Sequence, residues 1–158
     1  MRILRIALVA VAGGLVACGG GGSSSSDGAG SSPTGSSATG GGLSGTWRAT
    51  RAEYASATNS SLRVEVVAQG TSLTLVLDAA SFVLTITDPG HTPRVTTGSW
   101  TSSRDTMTLT PSGMPFSWVF DMNLNGSTLT LTGGSVEFDF NADGSYEQAK
   151  LNLTLVRQ

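Results

Sequence analysis

The chain has 158 residues, with 9 Lys and Arg against 11 Asp and Glu, one histidine, one cysteine and 21 glycines. Such sparse, slightly acidic charge offers no basic stripe for nucleic acid or for an anionic membrane surface. A single thiol makes neither a disulfide nor a thiolate metal site, and a single histidine cannot build a His-rich metal centre.

Residues 1–18, MRILRIALVAVAGGLVAC, open with Arg2 and Arg5, continue through an apolar stretch from Ile6 to Val16 and end in small residues. A charged start, a short apolar run and a small-residue cleavage site form an export signal. The run is too short for a spanning helix, which needs about 20 apolar residues. Leu15-Val16-Ala17-Cys18 resembles the lipobox of bacterial lipoprotein precursors. The resemblance implies a signal peptide over 1–17, cleavage after Ala17, a diacylglyceryl thioether on Cys18 and acylation of the new amino group. The first partner is then the lipid bilayer. Gly19, not Asp, follows Cys18. In an enteric-type envelope this implies a lipid anchor at the outer membrane, facing the periplasm or the cell surface. Several acyl chains at about 0.8 kcal/mol per buried methylene hold stably where one would be marginal.

Residues 18–42 are the acylated cysteine and a tract of mostly Gly and Ser, with Asp27 its only charge. Such a segment has nothing to bury and cannot repay its ordering entropy. As a flexible coil it spans about 25–30 Å, a tether about one small-domain diameter long. A phosphate-cradling role would need a strand before these glycines and an amphipathic helix after them, and neither is there.

Residues 43–158 suffice for one domain, which must bury a real core because no disulfide supports it. Its pattern is period two almost throughout. LRVEVVA (62–68) aligns Leu62, Val64, Val66 and Ala68; SLTLVLD (72–78) aligns Leu73, Leu75 and Leu77; FVLTITD (82–88) aligns Phe82, Leu84 and Ile86. TMTLT (106–110), FSWVFDM (116–122), STLTLT (127–132), VEFDF (136–140) and LNLTLV (151–156) repeat it, with Ser, Thr and charged residues opposite. These are strands buried on one face. Turn residues punctuate them at Gln69-Gly70, Asp88-Pro89-Gly90, Pro111-Ser112-Gly113, Asn125-Gly126, Gly133-Gly134 and Asp143-Gly144, and Asn125-Gly126 is the strongest hairpin signal. With residues 45–54 and 94–100 the count reaches about ten strands. The short helical alternatives are RAEYASA and YEQAKL. An all-β antiparallel meander follows, with a barrel or a sandwich both open on composition alone.

The two ends of the domain favour the barrel. Gly45-Thr46-Trp47 stands at the start of the first strand and Arg157 on the last. This resembles the lipocalin superfamily, and more closely its compact bacterial lipocalin-like domains. The resemblance implies an up-and-down barrel of about 8–10 strands in which Gly45 permits a tight entry, Trp47 plugs the closed end and Arg157 covers it. There are departures. No Thr-Asp-Tyr lies between later strands, and after Arg157 there is no room for the C-terminal helix of classical lipocalins. A second Gly-x-Trp, Gly98-Ser99-Trp100, reads as another strand carrying a core aromatic.

Nothing points to an enzyme. His91 sits in the turn DPGHTPR, Gly-x-Ser-x-Gly is missing from the domain, and Glu137 and Asp139 share a solvated face. One stretch has the oxygen ligands and glycine that calcium uses. DFNADGSYE (139–147) places Asp139, Asn141, Asp143 and Gly144 at calcium-loop spacing, but Lys150 stands where an EF-hand has its bidentate Glu. The competing reading is a hairpin turning at Asp143-Gly144. Two functions remain, and the sequence favours the first. One is a module binding a small apolar ligand between inward Leu, Val, Phe82, Phe116, Trp118, Phe120, Phe138 and Phe140. The other is a protein-interaction or structural envelope lipoprotein, for example inhibitor-like, whose barrel those side chains fill. An empty apolar space above about 300 Å³ would favour the ligand.

Overall fold

The computed structural model describes residues 42–158; the expected signal peptide, Cys18 and nearly all of the expected tether lie outside the described residues. Nine strands follow in chain order: β1 (Gly45–Ser56), β2 (Arg63–Glu65), β3 (Ser72–Leu77), β4 (Ser81–Thr87), β5 (Arg94–Ser103), β6 (Thr106–Pro111), β7 (Trp118–Asn125), β8 (Thr128–Phe138) and β9 (Glu147–Arg157). All pairings are antiparallel, and each strand from β3 onward pairs with the next. β1 then pairs with β9 from Trp47↔Arg157 to Ser56↔Ala149, and with β3 from Gly45↔Leu77 to Arg48↔Thr74. The ring closes as an eight-stranded barrel with β2 as an extra strand. Closure removes the exposed edges that a sandwich would have to blunt.

β2 and β3 run in the same direction along one edge of β1, β2 pairing at Tyr54↔Val64. Between them the chain bulges out, and the Val66 amide still donates to the Ala52 carbonyl at 2.9 Å. The Glu65 carboxylate fills the break. It accepts from the amides of Ala52 (2.7 Å), Val67 (3.2 Å) and Ala68, doing the work of the missing strand backbone.

Alternation turns one face of each strand inward. Trp47, Leu73, Leu75, Leu77, Phe82, Met107, Leu109, Phe120, Leu129, Leu131 and Leu155 fill the interior and are fully buried. The opposite faces of β3 to β6 carry only Ser, Thr and Val. Strand ends define two ends of the barrel. The chain entry before Gly45, the β3–β4, β5–β6 and β7–β8 turns and the C-terminus lie at one, here called the closed end. The β1–β2, β4–β5, β6–β7 and β8–β9 loops lie at the other, the open end.

The structure corrects four local expectations. Residues 127–132 and 136–140 form one strand, because Gly133-Gly134 makes a bulge and not a turn: Gly133 has φ +84°, and the register slips between Leu131 and Gly134. Gly134 is needed there because the Phe120 ring lies over it, 2.1 Å from where a Cβ would stand. Only Arg63–Glu65 of the 62–68 run is strand, and Leu62 is exposed. The two helical alternatives lie in β1 and β9, overridden by pairing along both strands. Phe116 precedes β7 in a loop and is 53% exposed, so it does not line the interior. By contrast, the β7–β8 hairpin expected at Asn125-Gly126 is there, closed by Asn125↔Thr128 with Gly126 and Ser127 as its turn residues.

Candidate functional site

At the closed end, β1 and β9 put Trp47 and Arg157 directly opposite each other. The Arg157 guanidinium carbon lies 4.3 Å from the centroid of the Trp47 ring, within cation–π range. The same guanidinium donates to the Ser44 carbonyl at 2.6 Å and to the Gly42 carbonyl. Trp47 is fully buried and its indole N–H donates to the Leu43 carbonyl at 2.7 Å. Gly45, at φ +135°, lets the entering chain pass close to Arg157, whose Nη1 is 2.6 Å from where a Cβ would be. Trp100 of the second Gly-x-Trp is also buried at this end, but its indole N–H caps the β3–β4 turn at the Asp78 carbonyl, 2.7 Å away. The hydrogen bonds of Trp47, Trp100 and Arg157 in this cluster all go to backbone carbonyls. The arrangement ties the entering chain to both terminal strands.

At the open end the interior changes character. Tyr54 on β1 stacks on Phe138 of β8 with centroids 4.3 Å apart, and Phe140 meets Phe138 edge-on at 4.9 Å. Across from this aromatic wall, alternation along β5 turns Arg94 inward: Val95, next to it, is 60% exposed, and Arg94 pairs with the buried Ile86. Arg94 Nη2 donates to Asp88 Oδ2 at 2.8 Å, and Thr71 Oγ1 donates to Asp88 Oδ1 at 2.8 Å. Arg94 Nη1 is buried and, among the described residues, has no hydrogen-bond partner. Burial pushes the Tyr54 hydroxyl up to about 12; the Arg94 charge pulls the other way and the Asp88 charge adds to the rise.

The carboxylate loop between β8 and β9 brings Asp139, Asn141 and Asp143 together around its own amides. Asp139 accepts from the amides of Asp143 (3.2 Å) and Gly144 (2.9 Å), and Asn141 Oδ1 from that of Asp143 (3.2 Å). Asp143 accepts from the Ser145 amide (2.7 Å) and the Asn141 side-chain amide (2.9 Å). The Ser145 bonds, from backbone and then hydroxyl, hold the Asp143 carboxyl below its ordinary value. Glu147 accepts from the Phe140 amide and Lys150 donates to Ser135, so neither turns to the loop centre. Among the described residues no three His, Cys, Asp or Glu side chains converge as a metal site. A cation held by Asp139, Asn141 and Asp143 would have to displace these amides.

On the outer wall, Glu53 accepts from Arg51 (2.6 Å), Arg63 (3.1 Å) and Asn152 (3.4 Å). Burial raises its pKa, but the hydrogen bonds of Arg51 and Asn152 and the two arginine charges outweigh this and hold it below its ordinary value. Charges therefore gather on β1, β2 and β9, away from the β3–β6 wall. A groove of about 260 Å³, lined by Asp105, Asp121, Asn123, Thr130 and Thr132, runs across β7 and β8 on the outside. His91 is exposed in the β4–β5 loop.

The Arg94–Asp88–Thr71 triplet was not singled out from sequence, though its signal was present. In RVTTGSW the period-two pattern that turns Trp100 inward also turns Arg94 inward. Comparison with protein-family models, with curated proteins and with solved structures finds no match to this chain.

Proposed function

We propose that this chain is a lipid-anchored envelope protein whose lipocalin-like barrel is a filled, rigid head acting on another envelope protein through its outer wall. The lipocalin-like reading is supported by pairing of the first and last strands and by Arg157 over Trp47. The choice of interaction over ligand storage rests on packing. Trp47, Ala52, Leu75, Met107, Leu129, Leu131 and Leu155 are at 0% exposure, so no water-sized space touches them. An apolar ligand in the lumen needs about 300 Å³ or more, and these side chains would have to part to admit one. The wall of β3 to β6 supplies the surface. Its outer face carries no charge and includes Val83 and Val95 at 37% and 60% exposure, with Val119 of the neighbouring β7 at 53% and Phe116 exposed in the β6–β7 loop nearby. Depletion of charge is what marks the centre of a protein interface.

Photo-crosslinking tests this. A benzophenone amino acid at Val95 or Val119 gives a discrete adduct in cells, and one at Arg48 or Arg51 gives none. A fluorescent fatty acid taken up 1:1 by the purified domain, or no adduct at any position, refutes the proposal. The anchor is tested separately. Cys18→Ala leaves the precursor unprocessed and out of the detergent-extracted membrane fraction, and normal processing with membrane retention refutes lipidation.

A further inference from the structure

Cross-strand pairing builds the floor of the groove on the outside of β7 and β8. Asp121 stands directly opposite Thr132 and Asn123 opposite Thr130, so these side chains form adjacent pairs on the outer face. Asp105, in the β5–β6 turn, closes a further side. Its carbonyl accepts from the Met122 amide at 2.5 Å, which fixes the turn against β7. None of the side chains of Asp105, Asp121, Asn123, Thr130 and Thr132 makes a hydrogen bond or ion pair among the described residues. That sets this groove apart. Every other Asp and Glu side chain among the described residues accepts a hydrogen bond. Arg104, next in the chain to Asp105, pairs with neither groove carboxylate.

We propose that this groove is a socket for an arginine side chain of the protein that docks on the β3–β6 wall. The inference rests on the interaction role and names the chemistry that the partner brings. The groove borders the wall. Asp121 pairs with Thr106 of β6 and is the next outward residue after Val119 along β7, about 7 Å further on. A partner laid over Val95 and Val119 therefore reaches the groove with one long side chain.

Charge and hydrogen-bonding capacity select the guanidinium. Asp105 and Asp121 line one groove with no cation between them, so a neutral ligand leaves their repulsion in place and a cation relieves it. Acceptors dominate the lining: both carboxylates, the Asn123 carbonyl and the hydroxyls of Thr130 and Thr132. A guanidinium presents a flat fork of N–H donors to such a set, where an ammonium is a single point charge. Among the described residues no third carboxylate or histidine joins the pair to make a metal site. An ion pair left open to water is worth little. Docking of the uncharged wall dries the groove and strengthens the pair, so the socket discriminates between partners more than it adds affinity.

The test has two arms. In the first, N-acetylarginine amide, N-acetyllysine amide and N-acetylcitrulline amide are titrated into the ¹⁵N-labelled domain at low salt. NMR reads the Asn123 side-chain amide and the backbone amides of Thr130 and Thr132. Citrulline keeps the shape of arginine without its charge. The arginine probe should saturate, at least about threefold more tightly than the lysine probe, and the citrulline probe should not saturate. Asp105→Asn with Asp121→Asn, folded as judged by unchanged amide shifts in β1 and β9, should weaken arginine binding at least about fivefold. No saturation by any probe overturns the proposal. So does lysine or citrulline binding as tightly as arginine, or unchanged binding in the double variant. The second arm uses the crosslinker at Val95 in cells. The double variant should lower the adduct yield at least about fivefold. An undiminished adduct overturns the socket and leaves the wall standing, whereas no adduct from the parent chain refutes the wall itself, so the two failures are told apart.

Discussion

Removing Arg157 should open the closed end more than its exposed position suggests. Arg157→Ala deletes a guanidinium that covers the Trp47 ring at 4.3 Å and donates to the carbonyls of Ser44 and Gly42. At a site open to water the ring contact is worth about 0.5–1 kcal/mol. Each hydrogen bond adds about 0.5 kcal/mol, because the freed carbonyls regain water. Lost cover over apolar surface by the side-chain stem brings the total to about 2 kcal/mol. For a domain of this size that is a fall in Tm of about 8 °C. Urea and thermal unfolding of the purified domain measure it. Arg104→Ala, in the β5–β6 turn, is the control and should cost less than about 0.5 kcal/mol. Arg157→Lys should recover less than half, because an ammonium cannot serve the ring and two carbonyls with one planar fork. A double-mutant cycle with Trp47→Phe should give coupling of at least about 0.5 kcal/mol. A loss in Arg157→Ala no larger than that in Arg104→Ala, or additivity with Trp47→Phe, would refute the reasoning.

Gly134→Ala places a methyl 2.1 Å from a Phe120 ring carbon and should destabilise by about 1–3 kcal/mol in urea unfolding, with Phe120→Leu in the same chain restoring part of the loss. Tyr54 is buried neutral with its pKa raised to about 12, so the unfolded chain gives up this proton first as pH rises. Its contribution is complete below about pH 10 and is lost as pH climbs towards about 12, up to about 3 kcal/mol, and Tyr54→Phe should flatten that decline in base-titrated unfolding. For Asp143 the sign is opposite. Its lowered pKa stabilises the β8–β9 loop above the ordinary carboxylate range, and the protection of the loop amides, taken relative to their intrinsic exchange rates, should fall as pH falls through the lowered value. Millimolar calcium should leave Tm unchanged, because the loop's own amides hold Asp139 and Asp143; a rise abolished by Asp139→Asn with Asp143→Asn would instead establish a cation site.

Period-two alternation made the strands legible because a barrel wall is buried on one side only. The same simplicity hid what breaks the rule. Gly133-Gly134 reads as a turn, and only the Phe120 ring from a neighbouring strand reveals a bulge. Glu65 reads as a solvated strand residue, yet its carboxylate seals a break that sequence has no way to announce. Trp47 and Arg157 were legible as a pair through the family resemblance alone, since composition left barrel and sandwich both open. Arg94 lay at an inward position in plain view. Its significance depends on what it lacks as a partner, a property of three-dimensional packing that no local pattern encodes.

Joining the first strand to the last also sets a condition on folding. One whole edge of β1 is completed by β9, through partners as distant along the chain as Trp47 and Arg157. Such topology has high contact order and folds slowly, since long loops close before their contacts repay them. Until β9 arrives, both β1 and β8 present open edges able to template another chain. A chain emerging from its amino-terminal end would therefore carry a sheet ready to aggregate until its final residues are delivered. Truncation within β9 should accordingly yield insoluble protein and not a merely weakened barrel.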